Sequence, residues 1–139
     1  MLPGAEYGYP NGILVSKDSR FAYISGWTTH DLHKYDLAAK KEVAQLELTF
    51  MPDNLTWTPD GKILAAGIKG ISGNCPSDSN YPCIQGFVLA NVDPETMESR
   101  IVYDNNGKAL INGVSVAIEA GGAFYVGSFQ GDRLLKLPR

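Results

Sequence analysis

The stretch MPDNLTWTPDGK, residues 51–62, places an Asp-Asn pair directly before a short apolar strand and a tight turn. Carboxylate and carboxamide oxygens are the ligands that hard cations such as calcium prefer, although the same dipeptide is also common at the start of a turn. The stretch YPNGILVSKDSR, residues 9–20, has nearly the same arrangement. The sequence therefore predicts a repeated unit in which polar residues precede a strand and a turn.

The composition is that of a soluble globular chain of one-domain size: 139 residues, 44% hydrophobic, 19% charged, with a net charge of −3. Because the chain is mildly acidic and has no basic cluster, no nucleic-acid partner is expected. No apolar run is as long as a membrane span, and no charged-then-apolar leader is visible at the N-terminus. Neither a membrane partner nor an export signal is therefore predicted.

Fifteen glycines and eight prolines divide the chain into short segments rich in Val, Ile, Leu, Tyr and Phe. Since no segment has a convincing helical period, the pattern predicts an all-β fold with a polar loop over residues 69–84. The predicted strands are residues 13–16, 21–27, 31–37 and 42–48, then 55–58, 63–68, 86–92 and 99–103, and finally 114–118, 123–129 and 132–137.

These strands form an internal repeat, in which Gly26, Gly67 and Gly127 each lie near the end of a second strand. Units of roughly 40–45 residues with four short strands are typical of β-propeller blades. The sequence predicts three blades, at about residues 11–50, 51–107 and 108–139, with the last blade lacking its outer strand. A sandwich or barrel of about eleven strands is the alternative.

Three blades do not close a ring, because propellers typically have about four to eight. An open half-ring exposes two apolar blade faces. We therefore expect residues 1–139 to be a single half-propeller unit that is either part of a longer chain or paired with a copy of itself. In a two-fold homodimer of six blades, residues 1–10 of one chain could supply the outer strand of the partner's last blade.

The motifs, taken in order, resemble those of the paraoxonase/arylesterase branch of the gluconolactonase and strictosidine-synthase-like superfamily. The similar segments are NGI at 11–13 with FAYI at 21–24 and LHKY at 32–35, PDNL at 52–55 with DG at 60–61, and VSVA at 114–117 with FYVGS at 124–128. They cover essentially the whole chain and correspond to the C-terminal half of a six-bladed propeller. The resemblance implies a calcium-dependent hydrolase that acts on a small-molecule lactone or ester.

The resemblance also implies site residues. Asn11, Asp53 and Asn54 fall where the family places calcium ligands, each just before a channel-side strand. Calcium takes roughly 6–8 oxygens, so these three leave its coordination sphere incomplete. The family's remaining ligands and its catalytic His belong to the N-terminal half, which has no counterpart here. The catalytic residues therefore remain unknown.

Ser128 and Phe129 occupy positions that wall the substrate pocket in the family. Trp27 ends a strand and could line the mouth of the site, with burial in the core as the favoured alternative. His30 and His33 are three residues apart with no third ligand in view, so we interpret them as surface histidines.

Two other functions remain open: a non-catalytic propeller scaffold or interaction module, and a strictosidine-synthase-like enzyme that forms a carbon–carbon bond. The missing base weakens the interpretation as an enzyme, whereas the retained Asn11, Asp53 and Asn54 weaken the interpretation as a scaffold.

Cys75 and Cys83 lie in a loop rich in Pro, Asn, Ser and Asp, without the spacing of a zinc site. A disulfide between them would stabilise the loop by about 2–3 kcal/mol. It would also indicate an oxidising compartment, periplasmic or extracellular, whereas two free thiols would fit the cytoplasm.

Overall fold

The computed structural model describes residues 7–72, 83–84, 86–106 and 110–139. This part of the chain consists of β-strands joined by turns, and it contains no helix that could cross a membrane. The first blade is a four-stranded antiparallel sheet in chain order, formed by β1 (Pro10–Val15), β2 (Phe21–Gly26), β3 (Asp31–Asp36) and β4 (Lys41–Glu47).

The second blade contains β5 (Met51–Trp57) and β6 (Ile63–Ile68), followed after an insertion by two outer strands. The insertion carries a separate two-stranded sheet, β7 (Ile71–Ser72) and β8 (Cys83–Ile84). The outer strands are β9 (Phe87–Val92) and β10 (Ser99–Asp104).

The third blade has three strands in the described residues: β11 (Val114–Ala120), β12 (Ala123–Ser128) and β13 (Leu135–Pro138). The predicted all-β propeller fragment is confirmed, and among the described residues its last blade has no outer strand.

Two apolar layers hold the three blades side by side. Successive residues of a strand point to opposite faces of the sheet, so Ile63 faces the first blade and Leu64 faces the third. The layer between the first and second blades includes Tyr23, Leu32, Phe50, Leu55, Ile63 and Val88. The layer between the second and third blades includes Leu64, Phe87, Leu89, Val114, Phe124 and Val126. The second blade is thus buried on both faces.

The two ends of the arc expose apolar side chains. On the third blade Ile118, Tyr125 and Leu134 are 50%, 37% and 78% exposed. On the first blade Ile13 and Val15 are 62% and 44% exposed. These are the open faces that a half-ring is expected to present.

Three strands begin three or more residues away from the predicted start. β1 and β5 begin three and four residues earlier than expected, because each strand continues through a bulge in its polar residues. β13 begins at Leu135 rather than 132. The Ser128 hydroxyl accepts hydrogen bonds from the amides of Gln130 and Gly131. These bonds hold residues 128–131 in a turn, and β13 begins after it.

The predicted polar loop over 69–84 also contains regular structure, because Ile71 pairs with Ile84 across the β7–β8 ladder. The predicted disulfide lies outside the described residues, since Cys75 is not among them.

Part of the N-terminal stretch pairs with the first blade of its own chain. The Trp27 amide donates to the Tyr9 carbonyl at 3.1 Å, and the Thr28 amide donates to the Gly8 carbonyl at 3.3 Å. Residues 1–6 lie outside the described part, so strand donation to a partner stays a prediction.

Candidate functional site

The innermost strand of every blade carries a β-bulge near its beginning. The register shifts between Pro10 and Ile13 in β1, between Pro52 and Leu55 in β5, and between Val114 and Val116 in β11. A bulge sets extra residues against the neighbouring strand and turns side chains in a new direction. The residues at these bulges include Asn11, Gly12, Asp53, Asn54 and Ser115.

The bulges of the first two blades lie against each other. A Cβ atom on Gly12 would overlap the Asp53 carbonyl oxygen and come within 2.8 Å of the Asn54 Cα. This close approach requires glycine at position 12. The buried Ser25 hydroxyl donates to the same Asp53 carbonyl at 2.7 Å. Gly12 and Ser25 therefore hold β5 against the first blade at the level of the predicted ligands.

Asp53 is 8% exposed, and its neighbours are neutral amides. The Asn54 Nδ2 donates to Asp53 Oδ1 at 3.0 Å, and the Asn11 side chain is hydrogen-bonded to the same carboxyl group. None of the ion pairs between described residues includes Asp53.

Burial raises the pKa of Asp53 to about 6, and the hydrogen bond from Asn11 opposes this rise. A buried carboxylate without a cationic side chain is a group that a bound cation would stabilise.

A cavity of about 340 Å³ opens beside this carboxylate. Trp27 and Phe129 form aromatic walls of the cavity. They lie at equivalent positions of the first and third blades, because each directly follows the residue that pairs with the first residue of the bulge, Pro10 or Val114. The lining residues are Tyr9, Pro10, Asn11, Trp27, Asp53 and Phe129. The cavity thus combines a polar corner with an aromatic surface.

The structure brings most of the predicted site residues together. Asn11, Asp53, Trp27 and Phe129 line the same cavity, and Asn54 is hydrogen-bonded to Asp53.

Ser128 is not among the lining residues. Its hydroxyl donates a hydrogen bond to the Asn112 carbonyl and accepts hydrogen bonds from the amides of Gln130 and Gly131. The side chain of Ser128 is thus engaged in the turn after β12.

The oxygen donors fit a hard cation but supply only part of its coordination sphere. Asn11, Asp53 and Asn54 offer one carboxylate and two carboxamides, whereas calcium takes roughly 6–8 oxygens. In the described part of the chain, no group of three or more His, Cys, Asp or Glu side chains could hold a metal ion. These three oxygen donors are therefore too few to complete a calcium site by themselves.

The surface assignment of His33 is wrong. This side chain is 6% exposed; its Nδ1 lies 2.9 Å from Glu42 Oε2 and its Nε2 lies 3.0 Å from Asp31 Oδ1. The Tyr7 ring packs over the imidazole with ring centroids 4.1 Å apart. Asp31 and His33 are two residues apart on one strand and therefore share a face, a signal that was present in the sequence.

Sequence reasoning also missed Tyr9, Pro10 and Ser25. Tyr9 and Pro10 line the cavity, and Ser25 contacts Asp53 from the neighbouring blade. No sequence signal pointed to Ser25, because it lies opposite the bulge of the first blade and the equivalent residues of the other blades are Ala66 and Gly127.

Comparison with known proteins agrees with this geometry. Residues 4–134 match the family model described as Arylesterase. The chain is 28% identical over 123 residues to serum paraoxonase/arylesterase 2 of Gallus gallus, across 85% of this chain and 34% of the relative. It is 32% identical over 126 residues to serum paraoxonase/lactonase 3 of Oryctolagus cuniculus, with the same two coverages. The chain spans about a third of the length of these relatives.

A solved structure with low sequence identity has a similar fold. The crystal structure of a protein of unknown function from Bacteroides caccae superposes with a TM-score of 0.59 at 15% identity, covering 91% of this chain and 44% of that one. This likeness concerns the fold alone. The match over residues 4–134 identifies the chain as a member of the arylesterase (paraoxonase) family.

Proposed function

We propose that this chain forms half of a calcium-dependent site that hydrolyses lactones or esters. The observation that carries the proposal is the buried Asp53 carboxylate, which lies beside Asn11 and Asn54 at the wall of an aromatic cavity. Family membership supports the substrate class, because the relatives are named as arylesterases and a lactonase.

Asn11, Asp53 and Asn54 would hold the ion. Calcium held there would supply Lewis-acid chemistry, namely polarisation of a substrate carbonyl and stabilisation of the negative charge on its oxygen. Trp27 and Phe129 would bind the apolar part of the substrate and orient it toward the polar corner of the cavity. No residue of this chain is assigned as the general base that would activate the attacking water.

We further propose that a second copy of the chain completes the ring. Two sets of three side-chain oxygens give six, which falls within the range that calcium takes. The exposed Ile118 and Leu134 on one end, and Ile13 on the other, form apolar surfaces that such an association would bury. Light scattering coupled to gel filtration should give twice the mass of one chain, and a well-folded monomer would contradict this part of the proposal.

Calcium titration by calorimetry tests the metal site, with Asp53→Ala as the variant and Asp60→Ala as the control. Asp60 is an exposed turn carboxylate that accepts from the Thr58 hydroxyl at 2.6 Å, away from the cavity lining. Wild type and Asp60→Ala should bind calcium equally, and Asp53→Ala should not bind. Binding that is unaffected by the Asp53 change would refute the metal site.

A propeller scaffold without catalysis is the second candidate, favoured by the half-complete set of ligands. A lactonase assay on protein that binds calcium separates the two. Turnover that disappears in Asp53→Ala supports the hydrolase, whereas calcium binding without turnover of any lactone or aryl ester supports the scaffold.

A further inference from the structure

We propose that Ser115 supplies a fourth oxygen to the metal site, from the inner strand of the third blade. The inference rests on the proposed calcium site and deepens it, because it extends the ligands from two blades to all three. Ser115 is half-buried at the bulge of β11.

The pairing of the inner strands shows which residues are equivalent. In every blade, two residue pairs between the inner strand and its neighbour enclose the bulge. The two pairs are separated by three residues on the inner strand but by only two on the neighbouring strand. The pairs are Pro10–Gly26 and Ile13–Ile24, Pro52–Gly67 and Leu55–Ala65, and Val114–Ser128 and Ala117–Val126. The residue after the first pair is Asn11 in the first blade, Asp53 in the second and Ser115 in the third. Ser115 therefore occupies the position of two predicted ligands.

A hydrogen bond between the second and third blades fixes the position of Ser115 along its strand relative to Asp53. The Thr56 hydroxyl donates to the Ala117 carbonyl at 2.7 Å and so fixes β5 beside β11. Asn54 lies two residues before Thr56, and Ser115 lies two residues before Ala117. Because both offsets are two residues and each passes through a bulge, we place Ser115 level with the Asp53–Asn54 pair.

The aromatic wall of the cavity shows that this edge of the third blade reaches the site. Phe129 follows Ser128, the partner of Val114, and it lines the same cavity as Asp53 and Asn11. Ser115 is the next residue after Val114 on β11, the strand that pairs with β12.

The hydroxyl of Ser115 is available for a ligand. Ser25 uses its hydroxyl on the Asp53 carbonyl, and Ser128 uses its hydroxyl in the turn after β12. Among the described residues, no hydrogen bond involves Ser115 Oγ. A neutral hydroxyl oxygen is a hard ligand that suits calcium without adding charge.

The test compares Ser115→Ala and Ser115→Asp with Ser99→Ala, which alters an exposed serine on β10. The probes are Ca²⁺ in calorimetry and Tb³⁺ in luminescence, with the full chain in its solution assembly. Ser115→Ala should weaken Ca²⁺ binding about three- to ten-fold, the scale of one lost neutral polar contact. Ser115→Asp should strengthen it, and Ser99→Ala should match wild type.

Thermal unfolding in EDTA separates loss of a ligand from loss of structure: Ser115→Ala and Ser99→Ala should unfold within about 2 °C of wild type. Ser115→Asp adds a second carboxylate beside Asp53 and should unfold at a lower temperature when the metal is absent. If Ca²⁺ affinity in both Ser115 variants equals that of wild type while Asp53→Ala abolishes binding, the inference fails and the calcium site stands. If wild type does not bind Ca²⁺, both fail.

Discussion

Replacing Asp53 by asparagine should stabilise the metal-free protein at pH 8, although it removes the proposed calcium ligand. The carboxylate is 8% exposed and is surrounded by neutral amides. Burial raises its pKa from 3.8 to about 6. The charged form is thus less stable in the folded protein than in the unfolded chain. Asparagine keeps the shape and one acceptor oxygen but carries no charge.

The magnitude follows from the shift in pKa. A change from 3.8 to about 6 corresponds to about 3 kcal/mol if the carboxylate is fully shielded from water. Water in the adjoining cavity screens the charge, which lowers the expected gain to about 1–2 kcal/mol. In a protein of this size such a gain raises the melting temperature by about 3–6 °C.

The sign of the pH dependence follows from linkage. Below pH 3.8 Asp53 is protonated in both states and its contribution to stability is fully present. Because the folded state holds the proton more tightly, wild-type stability falls as the pH rises toward about 6 and then levels off. In Asp53→Asn the carboxamide that replaces the carboxyl group does not titrate. The difference in unfolding free energy should therefore be near zero at pH 3.5 and reach its full value by pH 8.

Urea denaturation in EDTA at pH 3.5, 6 and 8 measures this difference. Asp60→Asn is the matched control: its hydrogen bond from the Thr58 hydroxyl lowers the pKa of Asp60, so its loss should destabilise the protein at pH 8. With calcium at 100 times its dissociation constant, wild type should gain about 2.7 kcal/mol and Asp53→Asn nothing. If Asp53→Asn is less stable than wild type at pH 8 in EDTA, the carboxylate has a structural role and the reasoning is refuted.

Three further predictions concern the site and the insertion. Gly12→Ala should lower both stability and calcium affinity, because the new Cβ would overlap the Asp53 carbonyl oxygen; unchanged calorimetry and melting would contradict this close contact. Trp27→Ala should raise KM for aryl esters about ten-fold, the scale of a truncated apolar side chain, without changing calcium affinity; a parallel loss of calcium binding would disprove a role limited to substrate. Thiol titration of the native protein should detect no free thiols until reductant is added if Cys75 and Cys83 are bridged, and two free thiols would exclude the disulfide.

The blades could be predicted from sequence because each depends on local patterns. Short apolar segments such as 63–68, separated by turns such as Pro59–Lys62, are enough to define strands and their period. The bulges could not be predicted in this way, since the approach of Gly12 to Asp53 is a tertiary contact. For the same reason the strands were expected to begin after the polar residues, whereas they run through them.

The repeated glycine near the end of each second strand does not occupy the same structural position in the third blade, for a related reason. Gly26 and Gly67 pair with Pro10 and Pro52, but the equivalent position in the third blade is Ser128, and Gly127 precedes it by one residue. An interval counted along the sequence cannot detect such a shift, because the position of the bulge sets the register.

Calcium binding and ring closure should be coupled, because the ligands of one half-ring do not complete the coordination sphere. A chain with three or four oxygens should bind calcium weakly, and a closed ring should bind it tightly. By thermodynamic reciprocity, calcium must then favour ring closure by the same factor by which closure favours calcium. Sedimentation of the purified chain at a series of concentrations, in EDTA and in calcium, measures this factor. Calcium should lower the dissociation constant of the dimer at least about ten-fold in wild type and leave it unchanged in Asp53→Asn, which lacks the central carboxylate. Equal dimerisation with and without calcium would show that the apolar end faces associate independently of the metal, and the proposal that the two copies share one ion would have to be abandoned.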